Sequence, residues 1–377
     1  MKLDLWSILI IVFAFQGIFL LAVLLYYKLK KYAQSNSFLI LIIFILIWFL
    51  AEFFSVRNKI EIPLHIFYGT RYGSWFLMGP LAYFYFRSIT DKEWRFSSRQ
   101  LWHFIPFVVF VVLVPMIAYK TLNDRQIDYG MLSVFDHREK VLLPIQWAYS
   151  VVFILQFLHL AFYLFKNLNL VNSYSKKLML EYSNIELKIK WLRTFNITLI
   201  GVLVFSAIFL YIFLVTDIYR RHLDYIYVLP IGVLFYLLSF YLVKTDWQPT
   251  DKNLKKYEGS SLNPEQVPEL VVKLDKLMQG EKMYLNNNLR LGDLAEAVGI
   301  GKHHLSQIIN QHYGFSFYDF VNRFRVEEAK RLLLKHPDFT MIQVAFDCGF
   351  NNKTSFFNAF KKFESINPSK FREHNRS

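Results

Sequence analysis

The sequence has one cysteine, Cys348, so no intramolecular disulfide can form, and a reducing compartment is the simple setting for the region that holds it. Motifs for phosphate, nucleotide, metal and acyl chemistry are missing too. There is no P-loop, no dinucleotide-binding glycine fingerprint, no HExxH and no GxSxG. The chain is therefore not expected to be an enzyme: no residue is assigned as catalytic, and no cofactor or metal is expected. His303 and His304 are adjacent, so their rings point apart, and no cysteine partners them as a ligand. The last long apolar run carries no lysine at its middle, which argues against a retinal Schiff base. No paired GxxxG and no transporter-like repeat is found. Acidic residues are few, 29 against 43 lysines and arginines, for a formal net charge of +14. Such an excess suits anionic lipid headgroups and nucleic acid alike, so position must decide between them.

What is abundant is apolar and aromatic. Hydrophobic residues make up 54% of the chain, with 39 phenylalanines and 23 tyrosines, a load that suits lipid contact better than a soluble core. The first two thirds contains seven apolar runs, at about 5–27, 38–56, 67–89, 101–119, 143–165, 194–216 and 225–243. Each is near the length needed to cross roughly 30 Å of hydrocarbon. Arg71 lies near the outer end of the third run, where it can snorkel to the interface. The first run lacks a cleavage site and is followed by Lys28, Lys30 and Lys31, the pattern of an uncleaved anchor.

Orientation follows from basic residues beside the runs. One set of loops carries thirteen: Lys28, Lys30, Lys31, Arg87, Lys92, Arg95, Arg99, Lys166, Lys176, Lys177, Lys188, Lys190 and Arg193. The other carries nine: Lys2, Arg57, Lys59, Lys120, Arg125, Arg138, Lys140, Arg220 and Arg221. Placing the richer set inside puts the N-terminus outside and the C-terminal region in the cytoplasm. Glu52, Arg71 and His103 fall near run ends, while His159 lies deeper, where bundle packing or a cavity would hold it. Pro80, Pro106, Pro115 and Pro230 predict kinks.

Between the fifth and sixth runs, Leu178, Tyr182, Ile185, Ile189 and Leu192 recur at helical spacing. This predicts an interfacial helix leading into the sixth run, or else a dimer contact or signal relay. After the seventh run the composition turns polar over 244–264, a linker containing Pro, Gly and Ser. Val267, Leu270, Leu274 and Leu277 then mark an amphipathic helix begun by Asn263 and Pro264, expected to pack on the C-terminal domain or to pair subunits.

The C-terminal quarter holds an internal repeat. Leu294-Ala295-x-x-Val298-Gly299-Ile300 is echoed fifty residues later by Val344-Ala345-x-x-Cys348-Gly349-Phe350. Leu305, Ile308 and Ile309 then match Phe356, Ala359 and Phe360, with one extra residue in the second copy. Two short helices that cross steeply need a small residue where they touch, here Ala295 or Ala345. They need a glycine in the turn, here Gly299 or Gly349, and apolar residues such as Leu305 or Phe356 along the second helix. That is the helix-turn-helix, whose second helix enters the major groove. Cys348 takes an apolar helix position beside the turn and is expected to be a core thiol.

On these residues, 281–377 resembles the DNA-binding domain of the AraC/XylS family of bacterial transcription regulators. LRLGDLAEAVGIGKHHLSQIINQHYGFSFYDFVNRFRVEEAKRLL resembles the family's first motif and its long joining helix, with Arg325, Glu328, Ala329 and Leu332 at matching places. AFDCGFNNKTSFFNAFKKFESINPSKFR resembles the signature of the second. Ser365 departs from the family's glycine after FKK, Asn367 from the Ser or Thr before proline, and Gly301 from a frequent serine cap. Asn is a good N-cap ahead of Pro368, and glycine caps nearly as well as serine.

The resemblance implies base-facing roles for His303, Ser306 and Gln307 in the first recognition helix, and for Lys353, Thr354 and Asn358 in the second. Gln and Asn can pair with adenine, and Lys can reach guanine acceptors. Lys302, Asn352, Lys361, Lys362 and Arg372 are expected at phosphates. Residues 281–377 carry 14 basic and 10 acidic side chains, a net of +4, so specificity would draw on both motifs or on dimers.

The expected fold class is thus all-α: a polytopic transmembrane helix bundle, followed by a cytoplasmic domain with two helix-turn-helix motifs. The expected domains are a transmembrane domain at 1–243, a linker and amphipathic helix at 244–280, and an AraC-type DNA-binding domain at 281–377. The expected setting is the bacterial inner (cytoplasmic) membrane. The expected partners are DNA across adjacent major-groove segments, the lipid bilayer, a second copy of the chain, and an unknown signal ligand or membrane partner. The competing reading is a membrane receptor or transporter whose helical domain binds a protein. The polar, lysine-bearing recognition faces argue against it, because protein docking favours exposed apolar anchors.

Overall fold

The computed structural model of the chain describes residues 4–31, 34–58, 73–91, 93–112, 144–216, 221–244 and 264–375. Among these residues every regular element is helical, and the extended backbone pairing is an isolated antiparallel bridge between Tyr182 and Arg290. The chain divides into two compact units, Met1–Val171 with Trp191–Gln248, and Asn172–Lys190 with Pro249–Ser377.

The first unit is built from α1 (Leu5–Lys31), α2 (Gln34–Asn58), α3 (Trp75–Thr90), most of α4 (Pro144–Met179), most of α5 (Glu186–Val215) and α6 (Val228–Lys244). A helix closes its backbone hydrogen bonds internally, which is what an apolar run needs if no water is available to satisfy them. Among the described residues, four helical stretches are long and apolar enough to cross a membrane: Leu5–Tyr26, Ser37–Ser55, Ile154–Met179 and Ile189–Ile212. Ser98–Val112 and Tyr225–Phe240 are apolar but shorter. The start of the third run (67–72, with Arg71), the end of the fourth (113–119, with Pro115) and the linker 245–263 lie outside the described residues. So do Lys2, Lys59, Lys92, Lys120, Arg125, Arg138, Lys140 and Arg220.

Glycine lets some of these helices approach closely. A Cβ on Gly232 of α6 would fall 2.3 Å from the Phe13 ring of α1, and one on Gly79 of α3 would fall 2.7 Å from Tyr163 of α4. Aromatic rings fill much of the interior. Phe195 stacks on both Phe86 and Trp191, and the Trp191 indole N–H donates to the Tyr85 hydroxyl at 2.5 Å. His159 sits edge-on to Phe76 and Tyr163, and a ring nitrogen of His103 meets the Tyr163 hydroxyl at 2.5 Å. Arg57 pairs with Asp4. Phe15, Phe19, Phe44 and Tyr211 point outward and are well exposed, an apolar exterior of the kind a lipid solvent would cover. Of the four prolines expected to kink helices, Pro80 lies inside α3, and Pro230 is the third residue of α6, which follows directly on the 3-10 turn Arg221–Tyr227.

In the second unit, α7 (Val267–Asp275) continues as a wider turn to Gly280. Its Val271, Leu274, Leu277 and Met278 are buried with the first helix-turn-helix, so this amphipathic helix packs on its own domain. The helix expected across 178–192 is broken. α4 ends at Met179 and α5 begins at Glu186, and the backbone between them pairs elsewhere in the unit. The apolar residues still cluster: Leu178, Ile185 and Ile189 are buried with Tyr182 and with Tyr318 of the C-terminal region.

Candidate nucleic-acid interface

Six helices follow α7. The first motif is α8 (Leu291–Val298) and α9 (Lys302–Ile308), and α10 (Phe317–Lys335) joins it to the second, α11 (Met341–Asp347) and α12 (Lys353–Glu364), before α13 (Pro368–His374). The two turns repeat one another in detail. Gly299 and Gly349 take φ of 86° and 83°, a left-handed conformation that glycine adopts without a Cβ penalty. Just after each glycine an N–H turns back to the same carbonyl of the preceding helix: Ile300 to Ala295 at 3.0 Å, and Phe350 to Ala345 at 2.9 Å. Ala295, Leu305, Ala345 and Phe356 are all buried where the paired helices meet.

Caps fix where the helices begin. Thr340 forms a capping box with Gln343, the Thr340 N–H donating to Gln343 Oε1 at 2.9 Å and the Gln343 N–H to Thr340 Oγ1 at 3.2 Å. Asn352 accepts from the Ser355 N–H at 2.8 Å, and Asn367 accepts from the Lys370 N–H at 2.8 Å ahead of Pro368. Gly301 stands at the N-cap of α9 in extended conformation. Ser365 occupies the family's glycine position with φ 61°, a left-handed angle that costs a side chain. Ser365→Gly is therefore expected to stabilise the second unit by about 1 kcal/mol, read as slower amide exchange across 353–374 in the full-length chain.

The residues expected to face bases lie on the two recognition helices. In α9, His303 is exposed while Ser306 and Gln307 are half-buried, and the Gln307 amide donates to Gln311 at 3.3 Å. In α12, Lys353, Thr354 and Asn358 are all exposed, and the Lys353 ammonium lies 5.1 Å from the centre of the Phe357 ring. The residues expected at phosphates divide. Lys302 is half-buried at the start of α9, and Lys361 is exposed near the end of α12. Lys362 is exposed but pairs with Asp319 at 2.6 Å. The Asn352 oxygen serves as a helix cap. Arg372 donates to the Phe339 carbonyl at 2.7 Å and the Pro337 carbonyl at 3.2 Å, which ties α13 to the turn before α11.

Cys348 is fully buried, and burial pushes its thiol up to about 12, so it stays protonated and inert as a core residue. On α10, Glu328 meets Arg331 at 2.6 Å and Lys282 at 3.3 Å, and these cations, Arg331 foremost, hold its carboxyl below the usual range. Three residues before Glu328, Arg325 is 1% exposed. Its guanidinium donates to the carbonyls of Tyr284 at 2.7 Å, Asn286 at 2.8 Å and Ser183 at 3.2 Å, and to Ser183 Oγ at 3.2 Å. Burial brings its pKa down to about 10, so it remains charged at neutral pH. Sequence spacing gave Arg325 a place in the motif but no hint of Ser183 as its partner.

Two helix-turn-helix motifs joined by one long helix, with polar recognition helices, define a double helix-turn-helix domain, the arrangement that the AraC/XylS resemblance implies. Comparison with known proteins agrees: a family described as "Helix-turn-helix domain" matches residues 294–374. An uncharacterized HTH-type transcriptional regulator of Staphylococcus aureus (strain COL) is 32% identical over 100 residues, which are 26% of this chain and 13% of that protein. The regulatory protein PocR of Salmonella typhimurium is 26% identical over 136 residues, 36% of this chain and 42% of PocR. The chain thus spans less than half the length of either relative. Among solved structures, the C-terminal domain of AraT, a response regulator from Geobacillus stearothermophilus, is 28% identical at a TM-score of 0.26, covering 30% of this chain and 88% of that one.

Proposed function

We propose that this protein is a membrane-embedded, sequence-specific DNA-binding transcription regulator that responds to a signal through its apolar N-terminal part. The observation that carries this is the pair of helix-turn-helix motifs, each with polar side chains at least partly open to solvent on its second helix, in one chain with, among the described residues, four helices long and apolar enough to cross a membrane. Residues 1–243 form the transmembrane domain, apart from 172–190, which pack with the C-terminal unit; 244–280 form the linker and amphipathic helix, and 281–377 the DNA-binding domain. The protein sits in the bacterial inner membrane with its N-terminus outside and its DNA-binding domain in the cytoplasm. His303, Ser306 and Gln307 read one major-groove segment, and Lys353, Thr354 and Asn358 read the next. Lys302, Asn352, Lys361, Lys362 and Arg372 meet phosphates, Asn352 while its oxygen caps α12. A second copy of the chain would supply the affinity that a net charge of +4 does not.

The test is chromatin immunoprecipitation of the full-length protein in its native membrane, beside a Lys353→Ala, Asn358→Ala variant. Each lost base contact is expected to cost about 1–3 kcal/mol, so discrete sites should vanish in the variant while the protein level holds. Absence of sites in the wild-type chain across several growth conditions would transfer the recognition helices to a protein partner.

A further inference from the structure

The loop between α4 and α5 belongs to the unit that contains both helix-turn-helix motifs. It enters that unit as a loop held by an isolated antiparallel bridge. The Ser183 N–H donates to the Leu289 carbonyl at 3.2 Å, and the Leu291 N–H donates to the Glu181 carbonyl at 3.0 Å. Tyr182 and Arg290 stand opposite each other in the resulting bridge, and the Arg290 guanidinium lies 5.7 Å from the centre of the Tyr182 ring. The Ser183 hydroxyl donates to Leu289 at 2.7 Å and accepts from Arg325, and Ser183 is itself buried. Leu178, Ile185 and Ile189 seal the contact against Tyr318 of α10.

The place where this loop docks is the joint between the two motifs. Arg325 lies on the helix that links them. It holds the carbonyls of Tyr284 and Asn286, ahead of the first motif, and its guanidinium lies 5.6 Å from the centre of the ring of Phe350, just past the turn of the second. At that turn, Gly349 packs directly on the carbonyls of Tyr284 and Leu285. One side of the 284–291 segment thus faces the second motif, and its far end carries the docked loop. Two recognition helices can read successive major-groove segments only if the joint holds them about one helical turn apart. We infer that the joint around Arg325 and Leu289 is a docking site for the chain's own Glu181–Ile185 loop, and that an occupied site fixes the motif spacing needed for DNA. The apolar helices on either side of the loop then have a direct hold on DNA affinity. Any signal that favours the undocked loop lowers affinity by its differential stabilisation of the two states. This inference rests on the proposed DNA-binding function.

The experiment uses the full-length chain in lipid nanodiscs, and a duplex that the same protein selects from a random pool. Failure of the wild-type chain to select any duplex would count against the proposed function itself. Ser183→Ala removes the hydroxyl contacts to Arg325 and Leu289, and is expected to weaken binding about tenfold, the scale of one lost charge-assisted hydrogen bond. Amide exchange at 181–185 reports docking independently, and Ser183→Pro, which also removes the N–H donor, is used if the alanine chain keeps these amides protected. Tyr182→Cys with Arg290→Cys then supplies a rescue. Directly opposed residues of an antiparallel pair stand roughly 4.5–5.5 Å apart at Cα, within disulfide range, and the natural cysteine, Cys348, is buried. In the Ser183→Ala background, oxidation of the pair should restore affinity and reduction should abolish the gain. Wild-type affinity in a chain whose loop amides exchange freely, or a formed crosslink that restores nothing, would overturn the inference.

Discussion

Gly349→Ala is expected to destabilise the second unit by roughly 3–4 kcal/mol, through two effects that add. The backbone there holds φ at 83°, where a Cβ costs about 1–2 kcal/mol. The added methyl would also stand 2.7 Å from the carbonyl oxygens of both Tyr284 and Leu285. These are backbone atoms held by Arg325 and by the 3-10 turn Met283–Leu285, so neither can swing away as a flexible side chain would. Relief requires the two motifs to part. Gly299 provides the control. It has the same φ, but the nearest atom to its would-be Cβ is the Lys273 ammonium at 3.7 Å, the end of a flexible side chain. Gly299→Ala should therefore cost only the backbone share, about 1–2 kcal/mol. Hydrogen exchange over 341–364 in the full-length chain separates the two cases. Equal loss of protection at both sites would show that the inter-motif joint is looser than this geometry requires.

Arg325→Leu is the second substitution with a large expected effect. A leucine matches the apolar neighbours but supplies no donor. The carbonyls of Tyr284 and Ser183 would stay buried, having lost bonds of 2.7 and 3.2 Å, while that of Asn286 would keep the Leu289 N–H. An orphaned buried acceptor costs about 1–3 kcal/mol, which puts the total at roughly 3–5 kcal/mol. Arg331→Leu on the same helix is the contrast. That side chain is 51% exposed and pairs with Glu328, and an ion pair whose cation is open to solvent contributes little. Urea unfolding followed by exchange of the α10 amides should rank the two variants in that order. Comparable losses would mean that Arg325 acts mainly by filling volume.

The repeated motif was legible because its constraints are local. Ala295 and Gly299 act within one turn of chain, and the same residue types return at Ala345 and Gly349, so spacing alone exposed the geometry. The cap at Asn367 was legible ahead of Pro368, whereas the amide of Asn352 reads as a phosphate contact until the Ser355 N–H is seen bonded to it. Lys362 and Arg372 looked available because their partners, Asp319 and the 337–339 turn, lie 33 to 43 residues away. The break at 180–185 was hidden for a related reason. Leu178, Tyr182, Ile185 and Ile189 keep helical spacing across it, and the pattern records which residues are buried, not the path the backbone takes between them. What the backbone bonds after the helix ends is a partner more than a hundred residues downstream. The second turn of the apolar pattern, from Ile189 onward, is helical as expected because there the run itself supplies every hydrogen bond.

The partnership of Ser183 with Leu289 and Arg325 spans 106 and 142 residues of chain. It therefore also orders events during synthesis. At roughly 5–20 residues per second, the Ser183 loop leaves the ribosome about 5–30 s before its partners exist. Through that interval the chain holds an exposed edge and an apolar cluster of Leu178, Ile185 and Ile189 with nothing to cover them. The DNA-binding unit cannot finish folding by itself as it emerges; it completes by closing onto a segment made earlier and already anchored between two apolar helices. A slow translation step between 190 and 284 would lengthen that exposure, whereas a chaperone that shields the loop would shorten it. The yield of folded regulator should thus depend on how quickly this stretch of message is read.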